Sequence, residues 1–168
     1  NVYFSFLVVM LFAAHPIHTE VVANIKSRDE ILSMIFLLLS LLAISSYLKT
    51  SKTLHLVLAL VAFFLGLLSK ESAIVYVALV PLFIYFFKEN ASKQLFKISA
   101  AIAGVALVYI VMHISIIGSL GIKNIPVIDN SILYTSNVAH QKLTAIYIMG
   151  IYFLLLIFPH PLSCDYSF

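Results

Sequence analysis

Ile31-Leu32-Ser33-Met34-Ile35-Phe36-Leu37-Leu38-Leu39-Ser40-Leu41-Leu42-Ala43-Ile44-Ser45-Ser46-Tyr47-Leu48 runs for 18 residues without a charge. A helix crosses a hydrocarbon core with about 20 apolar residues, in a range of about 17–25. The run therefore reads as a membrane span. Further charge-free runs cover residues 1–14, 53–69, 72–87, 98–122 and 143–164. Those at 98–122 and 143–164 are long enough to span, and 1–14 reads as the tail of another helix. The runs at 53–69 and 72–87 are each marginal and read as a tight pair of short helices, broken at Ser69-Lys70-Glu71-Ser72.

Composition agrees with this reading. Of 168 residues, 62% are hydrophobic and 10% charged, and mean hydropathy is +1.09; soluble domains are nearer a quarter charged. A domain this small buries only part of its surface, so lipid must cover the remainder. The expected fold is all-α: a polytopic transmembrane helical bundle, integral and multi-pass, with the lipid bilayer as its first partner. Helices are expected at about 1–14, 19–48, 54–68, 73–87, 96–118 and 143–158. Outer loops are expected at 15–30, 69–72 and 119–142.

The net charge of +3 is small and its lysines lie in short connections, which is a topological signal and no nucleic-acid footprint. Lys49 and Lys52 flank one connection; Lys88, Lys93 and Lys97 flank another. If the short pair between them is a hairpin, both face one side, and the positive-inside rule makes it cytoplasmic. Alternation then puts 15–30 outside, 88–97 inside, 119–142 outside and the tail after 158 inside. Cys164 is the sole cysteine, which excludes an internal disulfide and a cysteine metal site. The chain opens at Asn1 within an apolar run, with no initiator Met, basic leader or cleavage site. We expect it to be a piece of a longer protein.

The densest ionisable cluster is His15-Pro16-Ile17-His18-Thr19-Glu20, continuing to Ser27-Arg28-Asp29-Glu30. Charges this close to a bilayer are costly and usually mark a functional site. Pro16 suits the first turn of a new helix and Thr19 suits an N-cap. On a continuous helix, Glu20, Asn24 and Arg28 would share one polar stripe. A plain interfacial loop with Glu20 and Arg28 paired is the structural alternative. His15, His18 and Glu20 are acceptable ligand types for a divalent metal, but their spacing matches no strong zinc signature. No metal or other cofactor is assigned.

The break at 69–72 is the second candidate. The helix before it, 15 residues at 1.5 Å each, reaches about 22 Å of a core about 30 Å thick. Non-helical backbone at that depth survives where it lines a cavity or is buried in protein. Ser69 or Ser72 could cap the next helix, whose N-terminus favours anions, and Lys70 adds a full charge. This is a phosphate-site expectation, with Glu71 keeping Lys70 charged; a simple Lys70–Glu71 turn is the alternative. His55, His113 and His140 read as interfacial or packing residues, and Asp165 as a capping residue.

These segments resemble a known family. His15-Pro16-Ile17-His18-Thr19-Glu20-Val21-Val22-Ala23 with Ser27-Arg28-Asp29-Glu30 resembles an HP-hydrophobic-HTE-x-VA…GRAD signature. Leu67-Leu68-Ser69-Lys70-Glu71-Ser72-Ala73-Ile74 is similar to an LLSKE-x-(A/G)-I segment. Thr144-Ala145-Ile146-Tyr147 through Phe158-Pro159-His160-Pro161-Leu162-Ser163-Cys164-Asp165-Tyr166-Ser167 resembles LTALY…FPxPLSxDYS. This last segment is part of a domain of unknown function, DUF1736, expected over about 119–168. The family is that of the transmembrane and tetratricopeptide-repeat O-mannosyltransferases, with their bacterial relatives. Asp29 departs from it, standing where the signature has a small residue.

The resemblance implies a GT-C glycosyltransferase in a bacterial inner membrane or the endoplasmic reticulum membrane. Such an enzyme moves a sugar, mannose in eukaryotic members, from a polyprenyl-phosphate donor to a Ser/Thr hydroxyl of a protein acceptor. It implies a catalytic acid in an outer loop upstream of this chain and tetratricopeptide repeats downstream, so the 168 residues alone should not catalyse transfer. Lys70 and Arg28 are then the expected phosphate contacts, and Glu20 and Glu30 the positioning groups. His15, His18 and Glu71 complete the candidate donor-binding set. A non-enzymatic transporter or lipid-carrier-binding subunit is the alternative.

Overall fold

The computed structural model describes residues 2–87, 92–117 and 138–160. The described residues contain helices and turns and no strand, as the all-α expectation requires. The chain divides into two compact units, one of residues 1–24 and 122–168, the other of Ile25–Gly121.

In the first unit, α1 (Val2–Ala14) leads through a 3-10 turn (Pro16–His18) into the short α2 (Thr19–Ala23), and α7 (Val138–Ile157) lies in the same unit. The turn begins where the sequence says it should. Pro16 occupies its first position, and His15 caps it with extended backbone, Nδ1 accepting the Ile17 N–H at 3.2 Å. Thr19 therefore does not act as an N-cap; it closes the turn in helical conformation. Nearly every side chain of α1 is exposed.

The second unit is the bundle that matters here. It runs α3 (Arg28–Thr50), α4 (Thr53–Ser69), a 3-10 turn (Glu71–Val75), α5 (Tyr76–Phe87) and α6 (Ser92–Ile117). Each helix buries one stripe. Ser33, Ser40, Ile44 and Tyr47 are buried on α3; Ala59, Phe63, Gly66 and Leu67 on α4; Tyr76, Val80 and Ile84 on α5; Ile98, Ile102 and Ala106 on α6. These spacings of three, four and seven return each residue to the same face. Phe63 and Tyr76 stack at the centre, 5.0 Å between rings. The opposite faces expose Leu, Ile, Val and Phe along their length, an apolar surface that suits contact with lipid.

Three described helices are long and apolar enough to cross a membrane: Ile25–Thr50, Gln94–Ile116 and Val138–Ile157. A fourth would be the bent pair Val2–Ala14 and Pro16–Ala23. With Thr53–Ser69 and Glu71–Phe87 as shorter apolar helices, this is an integral, multi-pass membrane protein.

α3 and α4 form a tight hairpin. Ser51 ends α3 in left-handed conformation (φ 54°), its N–H returning to Tyr47 O at 2.8 Å. The hairpin register follows from two buried serines: Ser40 Oγ donates to Ala59 O at 2.8 Å, and Ser33 Oγ donates to Gly66 O at 3.2 Å. Seven residues along α3 match seven along α4 in the opposite direction. A hydroxyl satisfied by the facing helix's carbonyl suits a medium without water.

Several boundaries differ from those read in the sequence. The helix expected over 19–48 breaks at Asn24, and a 3-10 turn (Ile25–Ser27) intervenes before α3. Asn competes with helical backbone bonding through its own amide. Glu20, Asn24 and Arg28 thus share no single helix and form no stripe. The helix expected over 73–87 opens with the Glu71–Val75 turn, without a side-chain cap. The last helix starts at Val138, shortening the loop expected over 119–142, most of which lies outside the described residues. Lys88, Cys164, Asp165 and the Glu20 side chain also lie outside them.

Candidate functional site

The α3–α4 register carries one turn further to the end of the hairpin. Four residues beyond Ser33 and Gly66 stand Asp29 and Lys70, and there Lys70 Nζ donates to Asp29 Oδ2 at 2.9 Å. Glu30 Oε1 lies 3.2 Å from the same ammonium. The Asp29 carboxylate is held from both sides, because its Oδ1 accepts the Glu30 N–H at 2.9 Å. Both acids lie in the first turn of α3, and Lys70 follows the last residue of α4. Each charge thus sits at the helix end whose dipole favours it. The side chains of Lys70, Asp29 and Glu30 are 32%, 39% and 45% exposed, so the cluster borders solvent without being lost in it. Hydrogen bonds to Asp29 first, then to Glu30, raise the Lys70 ammonium above its ordinary range, and it stays cationic.

The backbone break makes this placement possible. Lys70 is extended (φ −150°, ψ 130°) while its N–H still bonds Gly66 O at 3.0 Å. Ser69 is spent on α4, its hydroxyl bonding back to Leu65 O at 2.8 Å, so it caps nothing. The expected anion site at the next helix N-terminus loses its basis, since a five-residue 3-10 turn stands there. Glu71 does not pair with Lys70 either. It turns to α6, where its Oε2 lies 3.6 Å from His113 Nε2. The His113 ring packs at 5.5 Å on Tyr109, one turn earlier.

At the other end of this unit, Lys97 Nζ stands 5.7 Å over the Tyr47 ring, and Gln94 reaches Ser51 Oγ at 3.5 Å. Lys49, Lys52 and Lys97 therefore gather at one end of the bundle, and Asp29, Glu30, Lys70, Glu71 and His113 at the other. Between the ends, Leu60, Phe64 and Leu65 of α4 and Ala101, Gly104 and Val108 of α6 line an apolar groove of about 650 Å3.

Of the residues singled out in the sequence, the structure brings Glu30 to Lys70 and places Arg28 exposed at the start of α3. His15 and His18 lie in the other unit, 6.2 Å apart, with His18 tilted on Phe12 at 4.6 Å. No three potential metal ligands converge among the described residues. Two residues gained a place that sequence reading did not give them: Asp29, set aside as a departure from a pattern, and His113, taken for packing. Asp29 had a signal. Small residues at Ser33, Ser40, Ala59 and Gly66 foreshadow a close antiparallel register, and that register puts residue 29 opposite residue 70. His113 had none, because nothing local ties residue 113 to residue 71.

Comparison with known proteins yields a short match. Protein O-mannosyl-transferase TMTC2 of Mus musculus and that of Homo sapiens are each 45% identical to this chain over 51 residues, covering 30% of the chain and 6% of the relative's length. No family model matches the chain, and no solved structure does.

Proposed function

We propose that this chain is part of a membrane glycosyltransferase that moves a sugar, mannose in the nearest reading, from a polyprenyl-phosphate donor to a Ser/Thr hydroxyl of a protein. The observation that carries the proposal is the Lys70 cluster: an ammonium at a helix break, shared by two carboxylates 2.9 and 3.2 Å away. The short identity to two O-mannosyltransferases supports the reaction class. The lysines at the opposite end support an outward-facing cluster by the positive-inside rule.

In this reaction the acceptor oxygen forms a bond to the anomeric carbon as the bond from that carbon to the phosphate oxygen breaks, and the phosphate leaves with the electron pair. Lys70 stabilises the charge that the phosphate gains. The phosphate displaces Glu30, the longer of the two contacts, while Asp29 keeps the ammonium in place. The freed Glu30 carboxylate then accepts a hydrogen bond from the acceptor hydroxyl and positions it, and the hydroxyl proton passes to the carboxylate base of the upstream outer loop as the new bond forms. Arg28, exposed at the start of α3, offers a second cation to the phosphate. The apolar groove between α4 and α6 suits the first isoprene units of the donor.

The test is transfer itself. Membranes expressing the protein in its native context, given a radiolabelled polyprenyl-phosphate mannose and a Ser/Thr-rich acceptor, should yield labelled, alkali-releasable sugar on the acceptor. Absence of transfer, with donor uptake into the lumen instead, would favour a transporter.

A further inference from the structure

Packing gathers Lys49, Lys52 and Lys97 at the end of the second unit away from Lys70. Lys49 lies in the last turn of α3, Lys52 directly precedes α4, and Ser51 turns the chain between them. α6 is tied to this turn. Gln94 Nε2 donates to Ser51 Oγ at 3.5 Å, and one helical turn on, Lys97 Nζ stands 5.7 Å over the ring of the buried Tyr47. All three lysines are exposed, and none of them forms an ion pair among the described residues. The described acids of this unit, Asp29, Glu30 and Glu71, stand at the opposite end. Asp29 and Lys49 are 20 residues apart on α3, a rise of about 30 Å. That distance matches the thickness of a hydrocarbon core, about 30 Å. It also far exceeds the roughly 8 Å over which exposed charges feel each other in physiological salt. The two charge clusters therefore fit the two faces of one bilayer, and the acids do not offset the lysines.

We propose that this end of the bundle binds the headgroup of an anionic phospholipid of the cytoplasmic leaflet, with Lys49, Lys52 and Lys97 as its cationic contacts. The ammonium groups stand at headgroup level, and anionic lipids in that leaflet attract basic side chains beside a span. The Tyr47 ring holds the Lys97 ammonium in place without neutralising it, as a carboxylate would. Exposed apolar side chains adjoin the cations on the same helices: Leu54 and Val57 next to Lys52 on α4, and Phe96 next to Lys97 on α6. A soluble anion would meet only the ammonium groups, whereas a phospholipid sets its headgroup on them and its acyl chains along the apolar side chains. That continuity favours the lipid over a free phosphate. Lysines present point charges and not planar forks, so the site selects negative charge and not one headgroup structure. The proposal does not depend on what Lys70 binds.

The experiment measures lipid preference on the protein in phosphatidylcholine nanodiscs. Spin-labelled phosphatidylglycerol and spin-labelled phosphatidylcholine are added in turn, and the motionally restricted fraction of each gives the preference. Wild type should prefer the anionic lipid, and the preference should shrink in 0.5 M NaCl, where screening shortens. Replacing Lys49, Lys52 and Lys97 together by Gln should lower the preference by about fivefold or more, the worth of a single lysine near a charged surface being about fivefold. Replacing all three by Arg should keep it. Far-UV circular dichroism establishes that each variant is folded, and the single variant Lys49→Gln, at an exposed position, should show a smaller loss in the same direction. A preference that survives in the triple Gln variant, or one that is lost equally in the triple Arg variant, overturns the site. Glycerophosphoglycerol, the same headgroup without chains, should not displace the labelled lipid at 10 mM and matched ionic strength. Displacement by it overturns the lipid in favour of a soluble anion.

Discussion

At Gly66, one turn before Lys70, α4 packs closely against α3, and its substitution has a graded expectation. A Cβ built there would lie 3.2 Å from Leu37 Cδ2, 3.6 Å from Leu37 Cγ and 3.6 Å from Phe36 Cβ. In Gly66→Ala the tight contact is with the rotatable end of Leu37, and alanine gains about 1 kcal/mol of helix propensity over glycine. The two effects offset, and stability should stay within about 1 kcal/mol of wild type. Gly66→Val adds two γ-carbons that must push on Phe36 Cβ, which cannot swing aside. Overpacking of that kind costs about 1–3 kcal/mol. Parting the helices also loses the Ser33 hydroxyl bond to Gly66 O, about 0.6 kcal/mol for an average interhelical bond in a membrane. Together these put Gly66→Val roughly 2–3 kcal/mol below wild type. Unfolding in mixed micelles of increasing SDS fraction, followed by far-UV circular dichroism, measures both variants. A valine tolerated as well as the alanine would refute the close approach at Gly66, and with it the register that brings Asp29 to Lys70.

Three further substitutions probe other parts of the account. Ser51→Gly should stabilise the hairpin by about 0.5–1 kcal/mol, because the left-handed conformation at Ser51 strains an L residue and suits glycine; the same SDS unfolding would contradict this by giving equal or lower stability. Ser40→Ala should cost about 0.6 kcal/mol and no more than about 1.7, whereas Ser46→Ala, whose hydroxyl bonds only its own helix at Leu42 O, should change stability by less than about 0.5 kcal/mol; equal effects would mean that the interhelical bond contributes nothing. In a background with Cys164 replaced, a cysteine at Ser72 should react with a membrane-impermeant maleimide from the outside of sealed cells and one at Ser51 should not; the reverse pattern would invert the bundle.

Much of this molecule is legible without coordinates, for a physical reason. In a bilayer the backbone must satisfy itself, so an 18-residue apolar run has essentially one fate, and the spans read at 31–48 and 98–122 follow from composition, the described helix of the second ending at Ile117. The break at Lys70 is also written in the chain, as a Lys-Glu pair between two runs too short to span. The helical stretch expected from residue 19 is different. It breaks at Asn24, a residue type whose side chain competes with helical backbone bonding, which periodicity alone does not register. The site was half visible. Lys70 and Glu30 stand out as charges at apolar boundaries, but their pairing spans 40 residues, and Lys70 to Asp29 spans 41. Such pairing depends on how α3 and α4 slide against each other. That register is set by Ser33 and Ser40 seeking carbonyls across the interface and by Gly66 admitting the close approach, details that hydropathy does not encode. A local reading pairs Glu71 with its neighbour Lys70, whereas the structure turns Lys70 to the acids of α3 and Glu71 to His113 of α6.

The central claim is that Lys70 meets the donor phosphate, and donor binding by Lys70 variants tests it most directly. In native membranes or nanodiscs, Lys70→Ala should raise the KM for a polyprenyl-phosphate sugar by about 10–100-fold, the range for losing a hydrogen bond to a charged group. Lys70→Arg should recover part of that loss, since the charge survives while the point geometry changes. The KM for the acceptor should barely move. If Lys70→Ala stayed folded, with donor KM and turnover at wild-type values, the cluster with Asp29 and Glu30 would be a structural clasp between α3 and α4, and the phosphate site would lie elsewhere.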